Sequence, residues 1–433
     1  MSSISVKQSS LTKEQKQTVG LLSIGTFLEY FDLMLYVHMA VLLNDLFFPP
    51  TDPTDLFSKH LLFSLSFCAT YLFRPLGAII FGYIGDIIGR KFTVIITTIM
   101  MSFLCIVMAN LPTYAQIGIM ASVIVTICRI LQGMSSLGEI IGAQLYVIES
   151  IKSPKSYPLV CSLTVFSALG GTFALLISSI TTSFGFNWRI VFWMGALIVV
   201  VSFFLRSKLR EAPEFVEAKR RIEKVGVEKQ EKKTLDCKIY KKDKLDIKSM
   251  IAYFFMESTS PVYFYLNFIF CGSLLRSFSF SAEYVIRHNL LLSIINLLNA
   301  ILLTLLVIRF HPFKLLRFKF FIFTPFILLY PYLLGQVTSN ISLFIIQVIF
   351  ILTSCSAFPA NPIILSSFPV LSRFRSASFS FAAAKAFSYV TTAFGALYLI
   401  KNFGYYGLLF IIIPINIAYF FSMNHFKKLE QKL

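Results

Sequence analysis

The chain has 433 residues, of which 56% are hydrophobic and 14% charged, with a formal net charge of +18. Soluble domains carry about 25% charged residues, and here apolar runs close to the roughly 20 residues that cross a bilayer recur along the whole chain. The composition is that of a polytopic membrane protein. The bases lie between the apolar runs and not along a soluble face, which excludes nucleic acid as a partner and fits an excess of Lys and Arg on the cytoplasmic side.

Residues 1–17 are polar, with Lys7, Lys13 and Lys16 ahead of an apolar run that continues past Tyr36. That run is too long for a signal-peptide core and reads as an uncleaved first helix. Five further spans are expected at 57–85, 92–111, 115–147, 157–184 and 188–206. Six more are expected at 249–275, 284–308, 318–335, 341–362, 377–399 and 403–422. The fold class is therefore all-α, with twelve transmembrane helices in two six-helix halves. The expected division is 1–205, a basic central cytoplasmic loop at 206–248, and 249–433. That loop reads as a solvated tether lying against anionic headgroups.

The base-rich connections alternate with base-poor ones. Lys7, Lys13 and Lys16, then Arg90 and Lys91, then Lys152 and Lys155 face one side, and the second half repeats the pattern from Arg309 to Lys319, at Arg373 and Arg375, and at Lys427 and Lys428. This places both termini in the cytoplasm. The connection near Arg276, Arg287 and His288 departs mildly from the rule. Six of the seven cysteines lie inside apolar segments, with no C-x-x-C pair and no His/Cys cluster. Neither a disulfide framework nor a metal site is expected, and no cofactor. There is no nucleophile–His pairing and no phosphate loop, so no catalytic residue is expected either.

Three stretches carry the chemistry. In the first helix, Gly25-Thr26-Phe27-Leu28-Glu29-Tyr30-Phe31-Asp32-Leu33-Met34-Leu35-Tyr36 sets Glu29, Asp32 and Tyr36 on one face, by their spacings of three and four. Carboxylates inside a span are costly unless they face water, a partner or each other, and crowding and desolvation raise a carboxyl pKa. Asp32 reads as a proton-coupling group, and Glu29 as either that or a structural ion-pair partner. In the fourth helix, Arg129 and Gln132-Gly133 are followed by Gly138-Glu139 and Gly142. Arg129 lies too deep to be an interfacial anchor and needs an acid, Asp32 or Glu29. Glu139 lies about 15 Å along the axis from it and reads as a gate or packing residue. Between the second and third helices, Gly82, Asp86, Gly89, Arg90 and Lys91 stand where a span leaves the bilayer. Asp86 is placed to meet a helix N-terminus, and the glycines to allow close packing.

Arg74-Pro75-Leu76-Gly77 together with Gly82-x-x-x-Asp86-x-x-Gly89-Arg90-Lys91 resembles the loop between helices 2 and 3 of the major facilitator superfamily, within its metabolite:proton symporter family of proline/betaine, citrate and α-ketoglutarate carriers. The first-helix stretch is similar to that family's G-x-F-x-E-[WY]-[YF]-D-x-x-x-Y, and Arg129 to Glu139 is similar to its R-x-x-Q-G-x-x-x-G-G-E, with Leu137 in place of a glycine. Arg210-Glu211-Ala212-Pro213-Glu214-Phe215 resembles the R-E-[ST]-P-x-F that closes the family's first half. Beyond residue 250 the resemblance thins to Tyr263-Phe264-Tyr265 and to Phe368-Pro369 ahead of Arg373.

The resemblance implies a proton-coupled symporter of a small polar solute, a zwitterionic osmolyte such as proline or betaine in the first instance. It works as a monomer in a plasma membrane, a bacterial inner membrane by family, with protons, the solute and membrane lipids as its partners. An organic anion is the alternative substrate, because Arg129 and Lys385 could both hold a carboxylate. A transport-inactive sensor or scaffold is the alternative class. Lys385, in an otherwise apolar helix, is either a cavity cation or a partner for Glu257.

Overall fold

The computed structural model describes residues 12–48, 68–88, 90–207, 247–370 and 372–431, and among these there are helices and no strand. The first helix is α1 (Lys13–Phe47), followed by α2 (Arg74–Ile87) and α3 (Arg90–Asn110). The fourth span is α4 (Ile119–Ser135) continued by α5 (Leu137–Ser150). Then come α6 (Ser156–Ser183) and α7 (Arg189–Ser207). Past residue 246 the seventh span is α8 (Ile247–Phe264), a π-helical segment Tyr265–Phe270 and α9 (Cys271–Ser277). The chain continues as α10 (Ala282–Arg309), α11 (Pro312–Gly335), α12 (Asn340–Thr353), α13 (Asn361–Ser366), α14 (Arg373–Phe403) and α15 (Leu409–Glu430). The expected tether at 206–248 falls almost wholly outside the described residues.

Local chemistry accounts for several of these boundaries. Pro75 occupies the first turn of α2, where a missing N–H costs nothing. Ser281 caps α10 by accepting from the Tyr284 amide at 3.2 Å. Pro261 lies inside α8 just ahead of the π segment; a proline there removes one helical hydrogen bond and favours a local change of winding.

The N-terminal helices pack around Phe31, Leu35, Met39, Leu104, Met108 and Phe192, all buried. The C-terminal helices have a larger core around Tyr263, Phe323, Tyr330, Phe350 and Tyr419. Helices α1 and α6 run closely together, and the two groups meet chiefly along α6 with α10 and α2 with α14. Across the first seam the hydroxyls of Thr172 and Ser293 are 2.7 Å apart. Across the second, Gly82 approaches the Cα of Arg375, and Gly142 on α5 approaches the Phe374 ring.

Two helices begin earlier than the apolar pattern predicts. Helix α11 starts at Pro312 and α14 at Arg373, so Arg373, expected in a loop, and Lys319, expected where a connection passes into a span, lie inside helices and are buried.

Candidate functional site

A cavity of about 290 Å³ lies between the N-terminal and C-terminal helices. Arg74 and Tyr71 reach it from the second span, Tyr30 and His38 from α1, and Gln144 from α5. Glu257 and Asn267 come from the seventh span, and Lys385 and Tyr389 from α14. Glu257 is the carboxylate among the described lining residues, and Arg74, Lys385 and Lys319 are its cations.

Several polar atoms in this wall are buried with no hydrogen-bond partner among the described residues. They are Nε and Nη2 of Arg74, Oε1 of Gln144 and both side-chain amide atoms of Asn267. A buried polar atom without a partner is costly, so such a set converging on one cavity marks a place where water or a ligand supplies the missing bonds. Arg74 lies over the Tyr71 ring at 4.5 Å, and Lys385 over the Phe381 ring at 4.9 Å. With its amide nitrogen turned inward, Asn361 donates to Glu257 Oε1 at 3.3 Å and to the Ala357 carbonyl at 3.2 Å. Glu257 and Lys385 act on each other electrostatically, as expected if Lys385 partners Glu257, and both also face the cavity. Tyr71 and Tyr389 bring their rings to 3.9 Å across the seam between α2 and α14.

The acids and the arginine singled out in the first and fourth spans form a second, separate cluster. Asp32 is 3% exposed and accepts a hydrogen bond from the Cys105 thiol at 2.5 Å. Gln132 Nε2 donates to that sulfur at 3.7 Å, and Gln132 Oε1 accepts from Arg129 Nη1 at 2.8 Å. The Arg129 guanidinium lies over the Tyr36 ring at 4.0 Å and feels the charge of Asp32. Gln132 and Cys105 thus link Arg129 to Asp32, one of the two acids expected to partner it. Glu29 is buried as well.

Of the predicted cavity residues, Lys385 lines the cavity. Glu29, Asp32, Tyr36, Arg129 and Gln132 are not among the described lining residues and lie buried within the N-terminal helices. The side chain of Glu139 lies outside the described residues. In the helix 2–3 connection, Gly82 packs toward α14, while Gly89 and the side chains of Asp86, Arg90 and Lys91 lie outside the described residues. Sequence reasoning missed Arg74, Gln144, Asn267 and Asn361 as cavity groups. Arg74 carried a usable signal, because a base inside the apolar run 57–85 asks for a polar surrounding as much as Arg129 does.

Residues 22–396 match the family model of the Major Facilitator Superfamily. A Staphylococcus aureus protein named "Putative proline/betaine transporter" is 33% identical over 210 residues, 47% of this chain and 45% of that protein. The inner membrane metabolite transport protein YhjE of Escherichia coli is 34% identical over 200 residues, 44% of this chain and 45% of that protein. The chain thus spans about half the length of the curated relatives it matches. Among solved structures, the proton:xylose symporter XylE has the same fold, with a TM-score of 0.71 at 14% identity, over 96% of this chain and 95% of that one. The human organic anion transporter MFSD10 aligns at a TM-score of 0.68 and 12% identity, over 95% of this chain and 100% of that one. With the motifs of the first half, the helical architecture and a polar cavity between the two sets of helices in agreement, this chain belongs to the major facilitator superfamily, a family of membrane transporters and not of enzymes.

Proposed function

We propose that the protein is a proton-coupled symporter of a small zwitterionic solute, of the proline or betaine kind. The observation that carries this reading is the cavity, where Arg74 and Lys385 stand with Glu257 around a space sized for a small metabolite. A solute carboxylate meets Arg74, whose buried Nε and Nη2 have no protein partner, and its cationic end meets Glu257 and the aromatic rings nearby. The name of the Staphylococcus aureus relative supports the same substrate class. In this reading the solute and the proton are held by different groups: the cavity binds the solute, and Asp32, beside Cys105 and within the field of Arg129, carries the proton. Residues 1–205 and 249–433 act as two halves that rock about the cavity, joined by the loop at 206–248. The carrier works as a monomer in a bacterial inner membrane with both termini in the cytoplasm.

The excess of cations over carboxylates in the cavity favours one other reading, an organic-anion symporter. Uptake of labelled proline, betaine and citrate into proteoliposomes, with and without an imposed proton gradient, separates the two. Accumulation of a zwitterion only with the gradient supports the proposal, and gradient-driven citrate uptake alone supports the other. No uptake of any solute in correctly inserted protein points to a transport-inactive sensor. Asp32→Asn should abolish uphill accumulation while leaving solute exchange.

A further inference from the structure

Lys319 has no role of its own in either of these readings. It lies on α11 seven residues past Pro312, about 10 Å along the helix axis, and it is 9% exposed. It lines the cavity, yet among the described residues it has no ion-pair or hydrogen-bond partner. The cavity carboxylate, Glu257, is engaged with Asn361 and Lys385. A buried ammonium without a counter-charge is expensive, and the space that Lys319 faces is the cavity.

The neighbouring backbone is unusual in a related way. Helix α12 stops at Thr353, and Ser354–Ala357 are non-helical before the 3₁₀ turn Phe358–Ala360. Irregular backbone at membrane depth is tolerated where it is buried in protein or lines a cavity, and Ser354, Cys355, Ser356 and Ala357 all line this one. Among the described residues the amides of Cys355, Ser356 and Ala357 donate no hydrogen bond. Cys355 lies close enough to Lys319 to feel its charge. Close by, Tyr263 donates to Asn416 Oδ1 at 2.9 Å, which leaves the buried Nδ2 of Asn416 without an acceptor.

We infer that Lys319 and the unwound Ser354–Ala357 segment form a subsite for one small monovalent anion, separate from the Arg74, Glu257 and Lys385 group. One ammonium balances one negative charge, and free amides supply its hydrogen bonds. Two sources share this chemistry: a free halide such as chloride, or the carboxylate of a transported solute. The subsite is read by binding, so it stands or falls apart from proton-coupled uptake.

The test titrates purified full-length protein in detergent, in a buffer whose only other anion is a bulky sulfonate, with chloride and separately with acetate. The melting midpoint of the native protein should rise saturably with each. Lys319→Met should flatten the chloride titration, leave only the part of the acetate response that Arg74 carries, and melt above the native protein when neither anion is present, because it removes an uncompensated buried charge. Lys385→Met should keep both responses. A cavity solute that competes with chloride identifies the solute carboxylate as the occupant, and absence of competition identifies a free ion. A native midpoint indifferent to both anions, as a deprotonated lysine would give, overturns the subsite. So does a Lys319→Met protein that still responds to chloride as the native protein does. If that variant does not fold, crystals of the native protein in bromide decide: an anomalous peak beside Lys319 Nζ is expected, and its absence at saturating bromide refutes the assignment.

Discussion

Arg129 is 2% exposed, in a span where a free guanidinium has no water to turn to. Its surroundings are graded: the Tyr36 ring lies on one face, the Gln132 carbonyl takes one N–H, and the Asp32 charge acts from beyond Cys105. Removing one member of a buried charged set costs roughly 3–5 kcal/mol, because the other charge is left uncompensated. Arg129→Met alone should therefore lower the thermal midpoint by more than Arg129→Met combined with Asp32→Asn, measured on purified protein in one detergent. If the double change is the more damaging, Asp32 is not held by the field of Arg129. That these residues are buried and electrically linked was legible from their types and spacing. That they face away from the cavity was not, because helical periodicity tells which side chains share a face and not which neighbour that face meets. The same limit hid Arg74, which stood in view as a family signature while its open N–H groups depended on the folded surround.

At the scale of elements the apolar pattern located the spans well and their irregularities poorly. All twelve expected spans coincide with described helices, in whole or in part, because each needs enough apolar residues to cross a bilayer whatever its neighbours are. The break after Thr353 stayed hidden, since Ser354, Cys355 and Ser356 are small and interrupt the run only weakly; Pro359 and Pro362 were the available signal. The early starts of α11 and α14 were hidden because a base near a span end reads as loop. The small residues of α6 are more informative once the packing is known. A Cβ at Gly170 would overlap the Phe27 carbonyl on α1, whereas one at Gly171 would make ordinary contact with Met34 Cγ at 3.5 Å. The α1–α6 crossing thus depends on one glycine of the pair. Gly170→Ala should cost about 1–3 kcal/mol through forced separation of the helices. Gly171→Ala should be near neutral or slightly stabilising, since alanine favours helix. Comparing the melting midpoints of the two variants checks this, and equal losses would mean that general helix disruption and not the crossing is responsible.

For the molecule as a whole, the proposed rocking requires that the two sets of helices change their tilt about the cavity, and polar contacts join them at both ends. At one end Arg373 on α14 approaches Glu149 on α5 at 3.5 Å, and its Nε and Nη2 donate to the carbonyls of Phe368 and Ser366. At the other, Ser183 at the end of α6 donates to Glu283 on α10, whose ion pair with Arg287 lies within α10 itself. The two ties differ in burial. The side chains of Arg373 and Glu149 are 8% and 0% exposed, while the Ser183–Glu283 hydrogen bond at the other end is exposed, with the Glu283 side chain 40% accessible. Exposed pairs contribute little, whereas separating a buried pair leaves a charge in low dielectric. Opening at the Arg373 end is therefore the costlier movement, and that end carries Lys152 and Lys155, the side assigned to the cytoplasm by the charge rule. Glu149→Gln keeps the shape and weakens the tie, so it should shift the population toward the state open on that side. A single cysteine at Ser354, in an otherwise cysteine-free background that still binds solute, should then react faster with a membrane-impermeant maleimide applied from the cytoplasmic face of inverted vesicles. Glu283→Gln should leave that rate nearly unchanged. Equal labelling of the native and Glu149→Gln proteins would show that the buried pair does not set the conformational balance, and that apolar contacts along α2–α14 close this end by themselves.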